Sequence, residues 1–201
     1  MSKPVARVVF AVACGLYAAC SMAAIPGQPA PDFTVNDATG KAVKLADQRG
    51  KYVVLEWTNP ECPFVQKHYV SKNMQALQKE FTGKDVVWLS INSTKRGHSE
   101  FKSGAQMTQW MTSQGAAQNA VLIDDTSSTG RAYAARTTPH MFVVDREGKI
   151  VYAGAIDDRR SANPADAKTA KNYVRAALSE SLANQPVTVA QTQPYGCSVK
   201  Y

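Results

Sequence analysis

The stretch that decides the predicted fold is Tyr52-Val53-Val54-Leu55-Glu56-Trp57-Thr58-Asn59-Pro60-Glu61-Cys62-Pro63-Phe64-Val65. Its first six residues form a nearly unbroken apolar run, as expected for a central strand that is covered on both faces. A helix is predicted to begin at Cys62, because apolar residues recur at helical spacing as far as Phe81 and Gly83 then ends the pattern. The stretch thus predicts a buried strand, a short loop and one helix that opens with a cysteine.

Cys62 is the candidate nucleophile. A strand-to-helix junction places unpaired backbone N–H groups and the positive end of a helix dipole beside the sulfur, which favours thiolate over thiol. The thiolate is the form that attacks a disulfide or a peroxide. Glu61, the preceding residue, opposes this effect through its negative charge. The alternative is that Cys62 is a buried structural thiol, since free cysteine is among the most buried residue types.

Residues 1–23 have the features of a cleavable signal peptide. Lys3 and Arg7 supply a basic start, residues 8–19 are apolar, and small residues follow at the positions that a signal peptidase reads. The apolar run is shorter than the ~20 residues that a membrane-spanning helix needs. The sequence therefore predicts export to the periplasm, and a protein anchored in the membrane and facing the periplasm is the alternative.

Cleavage would leave two of the four cysteines. Cys14 and Cys20 lie in the predicted leader, whereas Cys62 and Cys197 lie in the mature chain. An even number of cysteines in an exported domain is compatible with a disulfide. Lipid modification of Cys20 is disfavoured because Tyr17 stands three residues earlier, where leucine is usual.

The length of 201 residues favours one domain, and the net charge of +7 would fall to +5 on loss of the leader. The basic residues are dispersed, so we expect a solvated surface, no nucleic-acid binding and no stable membrane association after cleavage. Those considered are Lys41, Lys44, Arg49, Lys51, Lys67, Lys72, Lys79 and Lys84.

Beyond a proline-rich linker, residues 24–30, the patterns predict strands that alternate with helices, and hence an α/β fold. The predicted elements are a hairpin at 32–35 and 41–45, strands at 52–57, 86–91, 120–123, 141–145 and 149–153, and helices at 62–83, 99–114, 130–135 and 164–184. The last residues, 186–201, have no helical period.

Three local features together resemble the thioredoxin-like superfamily, and in particular its exported redoxin or peroxiredoxin-like group. They are the strand-to-cysteine junction 55–65, the segment Thr137-Thr138-Pro139 leading into the strand at 142–145, and the ending Pro194-Tyr195-Gly196-Cys197-Ser198-Val199-Lys200-Tyr201. The resemblance implies a thioredoxin-like domain over 31–185, with a mixed central sheet flanked by helices, an N-terminal β-hairpin and an extended C-terminal tail over 186–201.

The resemblance also implies roles for two segments. In this superfamily the proline matching Pro139 is cis and lies against the reactive sulfur, which leaves the backbone of Thr138 free to pair with an extended substrate strand. In thioredoxins the position of Glu56 holds a buried Asp that relays a proton to the second active-site thiol. Burial would raise the pKa of Glu56 by desolvation. The alternative is a strand-edge Glu56 that faces solvent or pairs with a lysine.

The chain departs from the superfamily at its second cysteine. Thioredoxins carry one three residues after the first, where this sequence has Val65, and some peroxiredoxin-like relatives carry one three residues before, where it has Asn59. Any intramolecular disulfide of the mature chain must therefore join Cys62 and Cys197. The resemblance thus implies that Cys197 is a distant resolving thiol.

The peroxiredoxin pattern fails at three positions. Those enzymes carry Pro and then Thr or Ser before the peroxidatic cysteine, and an arginine before the late strand, where this chain has Leu55, Asn59 and Pro139. Compensating residues are available in Thr58, Arg131 and Arg136.

We therefore predict a periplasmic thiol–disulfide oxidoreductase without a cofactor or metal, which acts on protein or small-molecule thiols and disulfides. One alternative is a thiol-dependent antioxidant peroxidase that consumes peroxide, with Cys197 condensing with a sulfenic acid on Cys62. The other is a non-catalytic binding or copper-handling domain in which Cys62–Cys197 is a structural disulfide and His140 and Met141 are the nearby candidate ligands.

Overall fold

A five-stranded mixed sheet organises the part of the chain that the computed structural model describes, residues 24–201; the predicted signal peptide lies outside these residues. The strands are β1 (Thr34–Asn36), β2 (Ala42–Lys44), β3 (Val53–Trp57), β4 (Val87–Asn92), β5 (Ala120–Ile123), β6 (Thr137–Thr138), β7 (His140–Val144), β8 (Ile150–Gly154) and β9 (Cys197–Ser198). The helices are α1 (Pro63–Val70), α2 (Asn73–Thr82), α3 (Gly104–Gln114), α4 (Ser128–Ala132) and α5 (Tyr173–Leu182).

Strand β3 lies at the centre of the sheet, whose order is β5-β4-β3-β7-β8. It pairs in parallel with β4 and antiparallel with β7, so that Glu56 has Ser90 on one side and Met141 on the other. All five residues of β3 are buried, as the apolar run predicted. The predicted α/β fold with a mixed central sheet and an N-terminal hairpin, β1–β2, is confirmed.

The two faces of the sheet are covered by different elements. Residues of α1, α2, α3 and α5 pack on the face that presents Val54. The hairpin β1–β2 and Tyr133, which follows α4, pack on the face that presents Leu55 and Trp57. Side chains alternate along a strand, so β3 contributes to both cores. Cys62 belongs to the helix-covered core.

Two predicted helices are interrupted. The helix predicted over 62–83 is divided into α1 and α2, because Lys72 takes a left-handed conformation with φ 64°. The amide of Gln75 stabilises the break by donating to the carbonyl of Tyr69, at 2.9 Å. The helix predicted over 164–184 begins as a 3-10 turn, Pro164–Lys168, and α5 starts only after Asn172, whose side chain accepts from the N–H of Arg175. No glycine marks either break.

Residues 24–30, predicted to be a linker, lie along β8. The N–H of Gly27 donates to the carbonyl of Ile150 at 2.8 Å, and the N–H of Ile150 donates to the carbonyl of Gln28 at 2.9 Å. Ala30 is buried. These residues therefore pack as part of the folded unit. No helix within residues 24–201 combines the length and the apolar character needed to cross a membrane.

The C-terminal tail, residues 186–201, is extended and returns across the sheet. It first runs beside β8, where Thr192 donates to the carbonyl of Ala153 at 3.1 Å, and it then pairs β9 antiparallel with β6. Gly196 makes this approach possible, because a Cβ at that position would lie 2.1 Å from the carbonyl oxygen of Thr138. The tail thereby reaches the loop that follows β3.

Candidate active site

Cys62 is the N-cap residue of α1, as the sequence predicted. Its backbone is extended, Pro63 occupies the first helical turn, and the carbonyl of Cys62 accepts the N–H of Gln66 at 2.9 Å. The first N–H groups of a helix lack intrahelical partners and carry the positive end of its dipole. The side chain is 1% exposed. A reactive position for the sulfur is thus combined with nearly complete burial.

Cys197 lies directly against Cys62, although the two residues are 135 positions apart. Their sulfur atoms are 2.7 Å from one another, and both cysteines are free thiols. A disulfide bond measures about 2.05 Å, so oxidation requires the sulfurs to approach by well under 1 Å. Cys197 is partly exposed. The folded tail therefore brings together the two cysteines of residues 24–201, and Cys197 is the one that solvent reaches.

Thr138 and Pro139 complete the immediate surroundings of Cys62. The peptide bond between them is cis, and the carbonyl oxygen of Thr138 lies 2.9 Å from the sulfur of Cys62. The expectation that the backbone of Thr138 is free for a substrate strand does not hold in this structure. Thr138 pairs with Cys197, and Thr137 pairs with Ser198, so the tail occupies that edge.

The two sulfurs have different surroundings, because Cys197 is next to Cys62 whereas the charged side chain beside Cys62 is Glu61. Burial raises the pKa of Cys197 to about 12, and the hydrogen bond to Cys62 and the charge of Cys62 add to this effect. Cys197 is therefore a thiol at neutral pH. The carboxylate of Glu61, expected to oppose a thiolate at Cys62, is paired with the ammonium of Lys102 at 2.6 Å. The positive charge of Lys102 therefore offsets part of the negative charge that Glu61 places beside Cys62.

Glu56 is fully buried, as predicted, and it is hydrogen-bonded on both oxygens. One oxygen accepts from the hydroxyl of Tyr69 at 2.8 Å. The other accepts from three donors, namely Trp88 Nε1 at 2.8 Å, Ser90 Oγ at 3.0 Å and Gln78 Nε2 at 3.3 Å. Desolvation raises the pKa of Glu56, and the four hydrogen bonds oppose that shift. Neither cysteine is a hydrogen-bond partner of Glu56, so its predicted role as a proton relay stays a prediction.

A second buried polar group, formed by Lys67, His68, Asp157 and Tyr195, was not foreseen from the sequence; we call it the Lys67 cluster. The assignment of Lys67 to the solvated surface is wrong, since its side chain is fully buried. Its ammonium lies 3.1 Å from a carboxylate oxygen of Asp157 and donates to the carbonyl of Arg159 at 2.6 Å. The one sequence signal was a lysine and a histidine enclosed between the core residues Val65 and Tyr69 of a short helix.

The Lys67 cluster joins α1 to the tail. The hydroxyl of Tyr195 accepts from Lys67 Nζ at 2.9 Å, donates to Asp157, and lies 3.3 Å from His68 Nε2. Burial lowers the pKa of His68 to about 4, so its imidazole is neutral at pH 7. Burial and the contact with Asp157 raise the pKa of Tyr195. Tyr195 is therefore a neutral phenol.

The residues considered for peroxide or copper do not form one group around Cys62: Met141 belongs to the same core as Cys62, whereas His140 lies on the other face of the sheet. His140 packs against Phe142, with ring centroids 4.5 Å apart, in the core on the opposite face of the sheet from Cys62. Residues 24–201 contain no group of three or more His, Cys, Asp or Glu side chains placed to hold a metal ion. The guanidinium of Arg131 stacks on Tyr201, and Asn59 donates to Glu100 at 2.9 Å.

The raised pKa of Glu56 predicts the stability of Glu56→Gln. Above its folded-state pKa the wild type carries the cost of a buried carboxylate, and this cost disappears as the pH falls through the folded value to the unfolded one. We therefore expect Glu56→Gln to be more stable than the wild type at neutral pH and to lose this advantage near pH 4. Urea unfolding between pH 4 and pH 8 measures the difference.

Glu56→Leu is the matched control. Its apolar side chain leaves the N–H of Trp88 without a partner, so the protein should be destabilised at every pH by roughly 1–3 kcal/mol. If Glu56→Gln is less stable than the wild type at pH 7, the ionised carboxylate of Glu56 does not destabilise the folded state, and the prediction is wrong.

Comparisons with known proteins agree with this fold. A thiol-disulfide oxidoreductase ResA of Bacillus subtilis (strain 168) is 26% identical over 125 residues, which cover 62% of this chain and 64% of that protein. This alignment spans less than two thirds of the relative's length. An uncharacterized conserved protein from Geobacillus kaustophilus is 30% identical, with a TM-score of 0.77 over 89% of this chain and 93% of that one.

The thioredoxin domain of a thiol-disulfide oxidoreductase from Bacteroides vulgatus shares the fold, with a TM-score of 0.52, 22% identity, and coverage of 72% of this chain and 96% of that one. A sequence model of the AhpC/TSA family matches residues 26–153, which hold β3, Cys62, the cis-proline segment and most of the sheet. The predicted thioredoxin-like redoxin fold is confirmed, and the chain belongs to the AhpC/TSA family.

Proposed function

We propose that this protein is an exported thiol–disulfide oxidoreductase in which Cys62 is the nucleophile and Cys197 resolves the mixed disulfide. The observation that carries the proposal is the contact of 2.7 Å between a sulfur at a helix N-terminus and a second sulfur delivered by the tail. The substrates would be protein or small-molecule disulfides, the chemistry named for the ResA relative.

The first step needs access to Cys62. With the tail in place its sulfur is buried, so a client disulfide reaches it when the segment around Cys197 moves aside. The backbone of Thr138 is then free to pair with an extended client strand. The thiolate of Cys62 attacks one client sulfur, a Cys62–client disulfide forms, and the other client sulfur leaves as a thiolate.

The second step uses the return of the tail. Cys197 loses its proton and attacks the sulfur of Cys62; the Cys62–Cys197 disulfide forms and the second client sulfur leaves as a thiolate. The client is thereby reduced by two electrons and the protein is oxidised by two. An external dithiol reductant closes the cycle. Because the pKa of Cys197 is raised, this residue is a thiol at neutral pH and has to lose its proton during this step.

A peroxidase is disfavoured by the contacts of the residues that stand in the peroxide-binding positions. Asn59, in the place of the expected hydroxyl, is bonded to Glu100. Arg131, one of the arginines considered as a replacement, stacks on Tyr201. Peroxide consumption supported by a dithiol separates the two activities: turnover of peroxide faster than that of a disulfide substrate would overturn our assignment.

A structural clasp is the remaining alternative, with Cys62–Cys197 as a permanent bond. A redox titration of the purified mature protein distinguishes it from a catalytic disulfide. A reduction potential below about −300 mV would favour the clasp, because such a bond resists reduction by thiol pools.

The resolving role of Cys197 predicts trapped adducts. Cys197→Ser should form mixed disulfides at Cys62 that are not released, because the second attacking sulfur is absent. Intact-mass analysis after exposure to oxidised glutathione detects the adduct. Cys62→Ser is the control and should form none. Adducts that clear as fast in Cys197→Ser as in the wild type would refute resolution by Cys197.

The wild type should form a reversible Cys62–Cys197 disulfide. This bond would close a segment of 135 residues, and the chain-entropy model assigns about 5 kcal/mol to constraining the unfolded state over such a loop. We expect the oxidised form to unfold at higher denaturant concentration than the reduced form. Peptide mapping without reductant identifies the bond, and pairing only between chains would contradict the prediction.

Export predicts cleavage of residues 1–23. The mature chain should begin at Ala24 or Ile25, and intact-mass analysis of periplasmic material decides it. A full-length chain held in the membrane would refute the cleaved leader and support the anchored alternative.

A further inference from the structure

We infer that Tyr195 is the positioning residue for Cys197: through its hydroxyl the Lys67 cluster on α1 holds the tail so that the two sulfurs stay in contact. This inference rests on the proposed function, because positioning matters for Cys197 as a resolving thiol. Three observations support it: the hydrogen bonds of the Lys67 cluster, the single residue between Tyr195 and Cys197, and the close approach of Gly196 to the backbone of Thr138.

The hydroxyl of Tyr195 uses all of its hydrogen-bonding capacity. A hydroxyl has one donor and two acceptor sites. Asn73 Nδ2 lies 2.9 Å from His68 Nδ1 and donates to it, so the neutral imidazole carries its proton on Nε2 and donates that proton to Tyr195. Lys67 supplies the second donor and Asp157 the acceptor. Because three buried partners converge on one oxygen, the phenol has a single favourable position.

The same helix therefore fixes both sulfurs. Cys62 caps the N-terminus of α1, whereas Lys67 and His68 lie on its following turn. One residue, Gly196, separates Tyr195 from Cys197. The ring of Tyr195 also packs edge-to-face on Phe64, with centroids 5.9 Å apart. Movement of Cys197 away from Cys62 thus has to strain or break contacts of Tyr195.

Gly196 fixes the path between the two contacts. A Cβ at this position would overlap the carbonyl oxygen of Thr138, and the backbone has φ 145°. The tail therefore lies directly on the segment before the cis peptide bond, and β9 pairs with β6 one residue later. Cys197 is held on one side by Tyr195 and on the other by this two-residue ladder.

Tyr195→Phe is the most informative substitution. It keeps the ring and the Lys67–Asp157 ion pair, but it leaves the Nε2–H of His68 buried without its acceptor. Removal of Lys67 would instead leave Asp157 as an unpaired buried charge and could prevent folding. An unsatisfied buried donor disfavours the docked tail, so the equilibrium constant for docking Cys197 against Cys62 should fall roughly tenfold.

The test follows the release of glutathione from Cys62 in the reduced protein after mixing with oxidised glutathione, by quenched mass analysis. Tyr195→Phe should form the adduct at least as fast as the wild type but release it about tenfold more slowly. Tyr52→Phe is the matched control, because it removes a tyrosine hydroxyl that donates to the carbonyl of Ser181 at 2.9 Å and takes no part in the Lys67 cluster. It should release glutathione at the wild-type rate.

A second readout does not depend on resolution. In the Cys197→Ser background, Tyr195→Phe should raise the rate of alkylation of Cys62 several-fold, because the tail covers this sulfur less of the time. The inference is overturned if Tyr195→Phe changes neither rate, or if Tyr52→Phe slows release equally. If the wild type never releases glutathione but the alkylation rate rises as expected, Tyr195 positions the tail and the proposed resolving function of Cys197 is wrong.

Discussion

Helix α1 makes essential contacts at three points along its length, and the positions of both cysteines depend on these contacts. Its N-terminus carries Cys62, Lys67 and His68 hold the tail, and Tyr69 donates to Glu56 in the central strand. The helix has only eight residues. An isolated helix of this length is unstable in water, so its position comes from these contacts and from packing on the sheet.

The sequence was informative where the signal is local. The apolar run of β3 predicted a buried strand, and Cys62 is the N-cap of a helix as predicted, although that helix ends at Val70. The cis bond before Pro139 was expected from the family resemblance. The fold class followed from the order of the predicted strands and helices. Burial of Glu56 was also predicted, because a carboxyl group inside an apolar strand has few other places to go.

The remaining features depend on residues that are distant in sequence. The buried partners of Lys67, Asp157 and Tyr195, lie 90 and 128 positions away, and no local pattern identifies them. The interruption at Lys72 lacks a glycine or proline, so nothing in the sequence marked it. The tail had no periodicity. The expected pairing of Cys62 with Cys197 implied that the tail returns to the site, but not that it pairs with β6 and fits Gly196 against Thr138.

The short ladder between β6 and β9 has a consequence for concentrated solutions. The ladder consists of backbone pairing over two residues. Neither this pairing nor the contacts of the Lys67 cluster with Tyr195 require the tail to belong to the same molecule. A tail released from its own domain meets the same contacts on a second molecule, as in domain swapping. Two molecules that exchange tails become linked by reciprocal Cys62–Cys197 bonds on oxidation, without any new interface. A high concentration of the protein would thus favour covalent dimers that keep the local geometry of the intramolecular redox pair.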